Sequence, residues 1–377
     1  ASILTSKLIL GADSSVGGSG TLTISDVISG SGKALTKVGA GTLTLSGANT
    51  FSGALNIQEG TIVADNNSAL GAVASGVSVS SGAILVLAGS RTIGAKALNL
   101  SGYGNSFTRG ALHNNSDNNI YQGPITLAAP SWISSEAGTL TLDVATGNNA
   151  IEGPYNLTLG GAGNITINDP IATGTGTLTK DGNGTLNLSG DNTYSGATTV
   201  NGGTLLVNGS LAAGSAVEVG NGSTLNGTLG GKGTISGAVT VKSGSTIAPG
   251  TANGFEILHT GNLTFNPGSS MNWEYDSSDG DLVSAGTLSF PVSGEKVTIY
   301  VTKIGDVVNC ERTLFTFTGT APSDPSVAYL NFDLTGTSAT KAEAYVDNTD
   351  SSVKVLLTPE PGMLALAALL LLALRKS

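Results

Sequence analysis

The stretch LTKVGAGTLTLSGANTFSGALNIQEGTI, residues 35–62, is repeated at residues 178–205 as LTKDGNGTLNLSGDNTYSGATTVNGGTL. The two copies keep one register: Lys37 aligns with Lys180 and Asn49 with Asn192, at an offset of 143 positions. Self-similarity of this kind is the sequence signature of a repeat architecture. We therefore expect the chain to fold as a stack of similar units.

Each copy contains a short run with strand periodicity. Residues 42–46 (TLTLS) and 185–189 (TLNLS) alternate polar and apolar side chains, so both leucines of a run lie on one face of a strand. Glycines flank the two runs and supply the backbone freedom that tight corners need. One unit cannot bury its leucines alone, so the copies must stack into a continuous apolar column, as they do in a parallel β-helix.

The pattern LTK-x-G-x-GTL-x-LSG-x-NT-[FY]-SG, followed by a GT-[LI] strand, resembles the autotransporter-associated β-strand repeat. That family occurs in large bacterial surface and secreted proteins built as parallel β-helices. Further strand signals recur about every ten residues, which fits three strands per turn. We predict an all-β fold: a right-handed parallel β-helix over residues 1–262 with about eleven to thirteen turns.

Composition excludes several functional classes. The chain has 55 glycines in 377 residues, a net charge of −10 and a single cysteine. The basic residues are scattered, whereas nucleic-acid binding needs them clustered, so we expect no nucleic-acid partner. One cysteine forms neither a disulfide framework nor a Cys-x-x-Cys site. We predict no metal, no cofactor and no catalytic residues.

Residues 1–3 carry no signal peptide, so we expect a processed export product or a fragment of a longer array.

Residues 263–358 differ from the repeats, with fewer glycine corners and more Phe, Tyr and Val. We interpret their strands, among them residues 297–301, 313–317 and 352–357, as antiparallel pairs. A solenoid must cover its last open strand edge to avoid aggregation. The region is therefore predicted to be a C-terminal β cap. Glu274, Asp276, Asp279 and Asp281 lie close together in sequence here and are interpreted as a solvated acidic loop, with a calcium site as the alternative.

The last residues, 359–377, resemble the C-terminal sorting signal named after its Pro-Glu-Pro motif, which a membrane-embedded exosortase recognises in Gram-negative bacteria. Pro359, Glu360 and Pro361 precede an apolar run, residues 362–374, and Arg375 and Lys376 follow it. As a helix the run is about 20 Å long, shorter than the ~30 Å hydrocarbon core of a bilayer. We expect a short apolar helix that enters the inner membrane transiently, an exosortase-type peptidase as partner, and final placement at the cell surface or outside the cell.

Residues 102–155 are the irregular part of the chain, and aromatic and ionisable residues concentrate there. Aromatic faces beside polar groups are typical of sugar-binding sites. Tyr103, Arg109, Tyr121 and Trp132 are the candidate ligand contacts, and extracellular polysaccharide is the candidate ligand. The alternative is a wider turn whose aromatic side chains fill the core, with Trp132 largely buried.

Three classes of function remain open. The first is a non-enzymatic surface or extracellular-matrix protein used in structure or adhesion, which the repeat favours. The others are a β-helix polysaccharide lyase or hydrolase and a carbohydrate-binding module. A lyase needs grouped carboxylates with a basic residue, and the sequence shows no paired-carboxylate motif. We therefore predict a protein that is not an enzyme.

Overall fold

The computed structural model describes residues 2–105, 109–144, 147–250, 255–275, 280–293, 295–303, 310–319, 322, 330–334, 339–347 and 349–359. Every regular element within these ranges is a β-strand. The chain divides into two compact units, Ala1–Ala216 and Val217–Ser377. Each unit is a parallel β-solenoid, and together they contain about 12 turns. The predicted fold class is confirmed.

In the first unit, each turn passes through three columns of stacked parallel strands. The first column contains Ser14–Val16, Leu35–Lys37, Leu55–Ile57, Val77–Val79, Leu98–Gly102, Ile151–Glu152, Ile171–Ala172, Asp191–Asn192 and Ser210–Leu211. The second contains Ser2–Leu4, Thr21–Ile24, Thr42–Leu45, Thr61–Ala64, Ile84–Leu87, Leu112–Asn114, Leu157–Gly160, Leu178–Asp181 and Thr198–Val200. The third contains Leu8–Ile9, Ile28–Ser29, Thr92–Ile93, Asn118–Tyr121, Thr139–Leu142, Asn164–Ile167, Thr185–Leu188 and Thr204–Val207. The long strand Ile125–Ser135 belongs to both the first and the second column.

The interior of the first unit consists of the apolar side chains that alternate along these strands. Leu43, Leu45, Leu186 and Leu188 are each at most 1% exposed, which confirms the inward-leucine register. Leu186 pairs in register with Ile165 on one neighbouring turn and Leu205 on the other. Each leucine therefore packs in a continuous apolar stack.

The two copies of the repeat start in different columns. In the first copy LTK lies in the first column, and in the second copy it lies in the second column. Between the LTK segment of the first copy and that of the second, the chain returns six times to the first column, at Leu55–Ile57, Val77–Val79, Leu98–Gly102, Ile125–Ser135, Ile151–Glu152 and Ile171–Ala172. The 143-residue offset is therefore a whole number of turns plus one strand.

The second unit has its own three columns of parallel strands. They are Val217–Val219, Val239–Val241, Leu263–Phe265 and Leu288–Ser289; Thr228–Gly231, Thr246–Pro249, Ser270–Tyr275, Val297–Lys303 and Leu330–Asp333; and Thr234–Ile235, Ile257–Thr260, Leu282–Ala285 and Cys310–Phe317. Among the described residues, antiparallel strand pairs are Cys310–Phe317 with Ser352–Pro359 and Ser352–Pro359 with Ala339–Asp347, and isolated antiparallel bridges join Gly231 to Gly250 and Tyr275 to Gly280.

The predicted antiparallel cap is thus seen in part. Val297–Lys303 was expected to be antiparallel and is parallel to both of its neighbours, Ser270–Tyr275 and Leu330–Asp333. Solenoid turns continue past residue 263, and the antiparallel strands start at Cys310. The sorting motif from Glu360 onward, with the apolar run and the basic end, lies outside the described residues.

Candidate functional site

The candidate ligand residues lie around an excursion of the chain between Leu98–Gly102 and Leu112–Asn114. Residues 106–108 within it are outside the described ranges. The two ends of this segment touch each other, since a Cβ on Gly104 would lie 2.2 Å from the carbonyl oxygen of Arg109. A Cβ on Gly110 would lie 2.4 Å from the carbonyl oxygen of Trp132. The segment therefore lies close against the strand that carries Trp132.

The outer face of the second column changes at this point. Thr23 and Thr44 face outward on successive turns and are half-buried. Val86, His113 and Ser134 continue the same row and are buried. The Gly110 amide donates a hydrogen bond to Ser134 Oγ at 2.7 Å. The described part of the excursion therefore contributes to covering this patch of the outer face.

His113 and Ser134 form a buried pair beneath this cover. His113 Nδ1 lies 2.8 Å from Ser134 Oγ. Burial, and secondarily the charge of Arg109, lower the pKa of His113 to about 4, so the imidazole is neutral at physiological pH. His113 Nε2 is buried and has no hydrogen-bond partner in the structure. Both side chains are about 1% exposed, so the serine hydroxyl is closed to a substrate in this conformation.

The structure brings three of the four predicted contact residues to the outside and places the fourth inside. Tyr103 is 51% exposed, Arg109 is exposed, and Trp132 is half-buried at an outward position, less enclosed than expected. Trp132 Nε1 is buried without a hydrogen-bond partner. Tyr121 is fully buried and donates its hydroxyl hydrogen to the carbonyl of Lys96 at 2.8 Å. Burial raises the pKa of that phenol. Tyr121 is a core residue, as the alternative interpretation held.

A second set of polar residues lies inside the first unit, and none of them was among the predicted site residues. Lys37 and Lys180 are 2% and 1% exposed. Lys180 Nζ donates to the carbonyls of Asp181, Gly182 and Gly202 at 2.8 to 3.0 Å. Burial lowers its pKa to about 8, which the charge of Asp181 opposes. Alternation along LTK already places this lysine on the face of the inward leucine, and that was the available signal.

Lys37 repeats this arrangement in the first copy. Its Nζ donates to the carbonyls of Val38, Gly39 and Glu59 at 2.5 to 3.1 Å. Burial lowers the pKa of Lys37, against the opposing charge of Glu59. In each copy two of the carbonyls come from the corner after the strand and the third comes from the next turn. The ammonium group thus links two turns at a corner.

Asn49 and Asn192 connect neighbouring turns. Asn49 Oδ1 accepts from the amide of Ile28 at 2.8 Å, and its Nδ2 donates to the carbonyl of Ala69 at 2.6 Å. Asn192 makes the equivalent bonds with Ile171 at 3.0 Å and Ser210 at 3.0 Å. Each side chain is 3% exposed. Each asparagine side chain therefore satisfies backbone groups of the turn before it and of the turn after it.

The described acidic residues of the second unit do not form a metal site. Asp281 is 2% exposed, and burial, followed by the charges of Glu274 and Glu256, raises its pKa to about 7. The Glu256 amide donates to Asp281 Oδ1 at 3.3 Å, opposing that shift. Within the described ranges no group of three or more His, Cys, Asp or Glu side chains is placed to hold a metal ion. Asp276 and Asp279 lie outside those ranges.

No helix long and apolar enough to span a membrane occurs in the part of the chain that the structure describes. The apolar run at residues 362–374 falls outside that part, so its expected helix and membrane stage stay predictions.

Two segments of the chain match a family model, the Passenger-associated-transport-repeat, at residues 35–64 and 178–207. These are the two copies of the repeat, and their resemblance to autotransporter-associated repeats is confirmed. The chain is also similar to the adhesin BmaC autotransporter of Brucella suis biovar 1 (strain 1330), with 36% identity over 126 residues. That alignment covers 29% of this chain and 4% of the adhesin. This chain thus corresponds to a small part of that relative.

Proposed function

We propose that this protein is a non-enzymatic, exported surface or extracellular-matrix protein with a structural or adhesive role. The observation that carries the proposal is the pair of passenger-associated repeats, each built into a continuous β-solenoid, together with the similarity to an autotransporter adhesin. Adhesive β-solenoids present long, regular side surfaces, and stacking of turns provides such a surface without a catalytic cleft.

The outer face of the first unit has the chemistry for such a surface. Thr158, Thr179 and Thr199 follow Trp132 in one outward row on successive turns, and all are half-buried. Neighbouring strands in a sheet are about 4.8 Å apart, so the hydroxyls form a regular uncharged row. Hydroxyl-rich polymers are suitable partners because they exchange hydrogen bonds with such a row at little desolvation cost.

The route to the surface is proposed from the sequence of the tail. Pro359-Glu360-Pro361, the apolar run 362–374 and the basic pair Arg375-Lys376 follow one another in the order of a sorting signal. We propose that an exosortase-type peptidase of a Gram-negative inner membrane processes the tail. The basic end would remain cytoplasmic, following the positive-inside rule.

A second candidate function is carbohydrate binding at the aromatic excursion. The observation that favours it is Trp132, an outward-facing, half-buried indole close to the segment that bears the exposed Tyr103 and Arg109. Indole rings stack on the apolar faces of sugars, and the half-buried ring of Trp132 leaves part of its surface accessible to a ligand. Extracellular polysaccharide would be the ligand.

Retention on polysaccharide tests these functions together. Beads coated with the full chain should be retained on immobilised acidic or neutral polysaccharides, and no unsaturated products or reducing ends should appear in the medium. Release of such products would replace the adhesive function with an enzymatic one. If Trp132→Ala abolishes retention while Thr44→Ala leaves it unchanged, the aromatic excursion is the contact. Failure to adhere to any polysaccharide or matrix surface would contradict the adhesive proposal.

A further inference from the structure

The first unit contains a cavity of about 210 Å³ beside the third column. It lies between the turn with residues 67–73 and the turn with residues 92–96. Its polar lining comes from Asn67, Ser68, Thr92 and Lys96, and its apolar walls include Leu70 and Ile93. No residue of the aromatic excursion lines it, so it is separate from the candidate site above.

Lys96 is the unusual member of this lining. Its side chain is 2% exposed, and its Nζ donates to one acceptor, the carbonyl of Ala72 at 2.7 Å. The ammonium also lies 5.9 Å from the ring centroid of Phe51, within range of a cation–π interaction. An ammonium has three N–H donors. With one acceptor and one aromatic ring, this buried cation lacks the full set of partners that burial of a charge requires.

Lys37 and Lys180 show what full coordination looks like in the same fold. Each donates to three carbonyl oxygens, and neither lines this cavity. The three lysines share burial and a lowered pKa. They differ in the number of acceptors and in the presence of a cavity. Having too few acceptors is therefore not a general property of the buried lysines in this chain. The incomplete set of acceptors around Lys96 indicates a ligand.

The other polar groups of the lining are also available. Asn67 Oδ1 accepts from the Thr92 amide at 3.0 Å, which leaves the Asn67 amide nitrogen free of described partners. The hydroxyls of Ser68 and Thr92 likewise form no hydrogen bond with a described residue. Amide and hydroxyl groups with aliphatic walls, around one cation, match a ligand that has hydroxyls, an apolar ring face and one negative charge.

We propose that this cavity binds a carboxylate-bearing sugar unit, a uronic acid, with its carboxylate on Lys96. The volume supports a ligand of that size, since pockets for larger drug-sized ligands begin at about 300 Å³. Asn67, Ser68 and Thr92 would bind the ring hydroxyls. The inference stands on the cavity and Lys96 alone and does not depend on the adhesive function proposed above.

Calorimetric titration of the full chain tests the proposal with three probes: glucuronate, glucose as its neutral counterpart, and acetate as a bare carboxylate. We expect glucuronate to bind at least tenfold more tightly than either control. Equal affinity for glucose would show that charge is not recognised, and equal affinity for acetate would show that the sugar ring is not. Either result overturns the assignment.

Two variants locate the site. Asn67→Asp keeps the oxygen that accepts from the Thr92 amide and adds a negative charge beside Lys96, on an exposed residue whose replacement leaves the core intact. It should weaken glucuronate binding at least tenfold. Lys96→Met should abolish binding, and the matched control Lys180→Met should not change it. Unchanged glucuronate affinity in Asn67→Asp would exclude this cavity as the site, even if Lys96→Met fails to fold.

Discussion

At the scale of single residues, Leu186 and Thr185 provide the simplest test of the interior. The leucine is 1% exposed and packs between Ile165 and Leu205, whereas Thr185 faces outward on the same strand. Leu186→Ala should lower the local free energy of unfolding by about 2 to 5 kcal/mol because it leaves a cavity in the stack. Thr185→Ala should change it by less than about 0.5 kcal/mol. Amide hydrogen exchange on residues 164–207 measures both, and equal effects would contradict this register.

The buried lysines make stability depend on pH. Burial lowers the pKa of Lys180 in the folded state to about 8, and in the unfolded chain it is 10.5. Below pH 8 both states hold the proton. Between pH 8 and 10.5 the unfolded state holds more protons, so the free energy of unfolding should rise with pH, by about 1 to 3 kcal/mol for this group.

Urea unfolding at pH 7.5 and pH 9.5 measures this rise, and Lys180→Met should reduce it. Lys96 contributes in the same direction, since burial lowers its pKa to about 8 as well. Above pH 10 the trend should reverse. Burial raises the pKa of Tyr194 to about 12, and the unfolded chain ionises this phenol earlier. A fall in stability from pH 7.5 to 9.5 would rule out this role of the lysines.

The residue-scale features could be predicted from the sequence only in part. Alternation in TLTLS was enough to place Leu43 and Leu45 inside. The same alternation puts Lys37 inside, but a buried lysine needs acceptors, and its third carbonyl comes from Glu59 on the next turn. Local sequence does not show which backbone oxygens the next turn supplies. For the same reason, the links from Asn49 to its two neighbouring turns could not be foreseen.

At the scale of structural elements, the glycine corners set how closely successive turns approach. A Cβ on Gly184 would lie 1.9 Å from the carbonyl oxygen of Gly163 on the preceding turn. Gly184→Ala should therefore force the two corners apart and destabilise this region by about 1 to 3 kcal/mol. Gly11→Ala is the matched control, because a Cβ on Gly11 would have no atom within 4 Å. If protease resistance falls equally in Gly184→Ala and Gly11→Ala, close approach is not the reason for these glycines.

The pairing of elements was harder to predict than their existence. Three strands per turn followed from the spacing of strand signals and glycines. The direction of Val297–Lys303 did not, because parallel and antiparallel strands share the same two-residue alternation. What distinguishes them is the partner strand, here Ser270–Tyr275 in parallel. The candidate site shows the same limit, since Tyr121 and Trp132 are both aromatic and only the strand register places one inside and the other outside.

At the scale of the whole molecule, the proposed sorting role of the tail can be tested through the C-terminus of the mature protein. We expect cleavage near Pro361 in a host that has an exosortase, because proline disfavours helix, and two prolines would keep the segment accessible to a peptidase beside the membrane. Mass spectrometry of surface material should find a C-terminus close to this motif. Replacing Arg375 and Lys376 by Glu should reduce cleavage, since the basic pair fixes orientation. Surface-exposed protein that is intact to Ser377 would show that the tail is an anchor.

The shift of the repeat from one column to the next bears on how such chains evolve. One sequence module is stable in two columns, so each column accepts the same pattern of leucine, lysine and asparagine. A duplication or deletion that is not a full turn can therefore preserve the alternation of inward and outward side chains. We infer that gain or loss of a single strand with its corner can change the length of such a chain, and that it moves the outward side chains that follow to the neighbouring face.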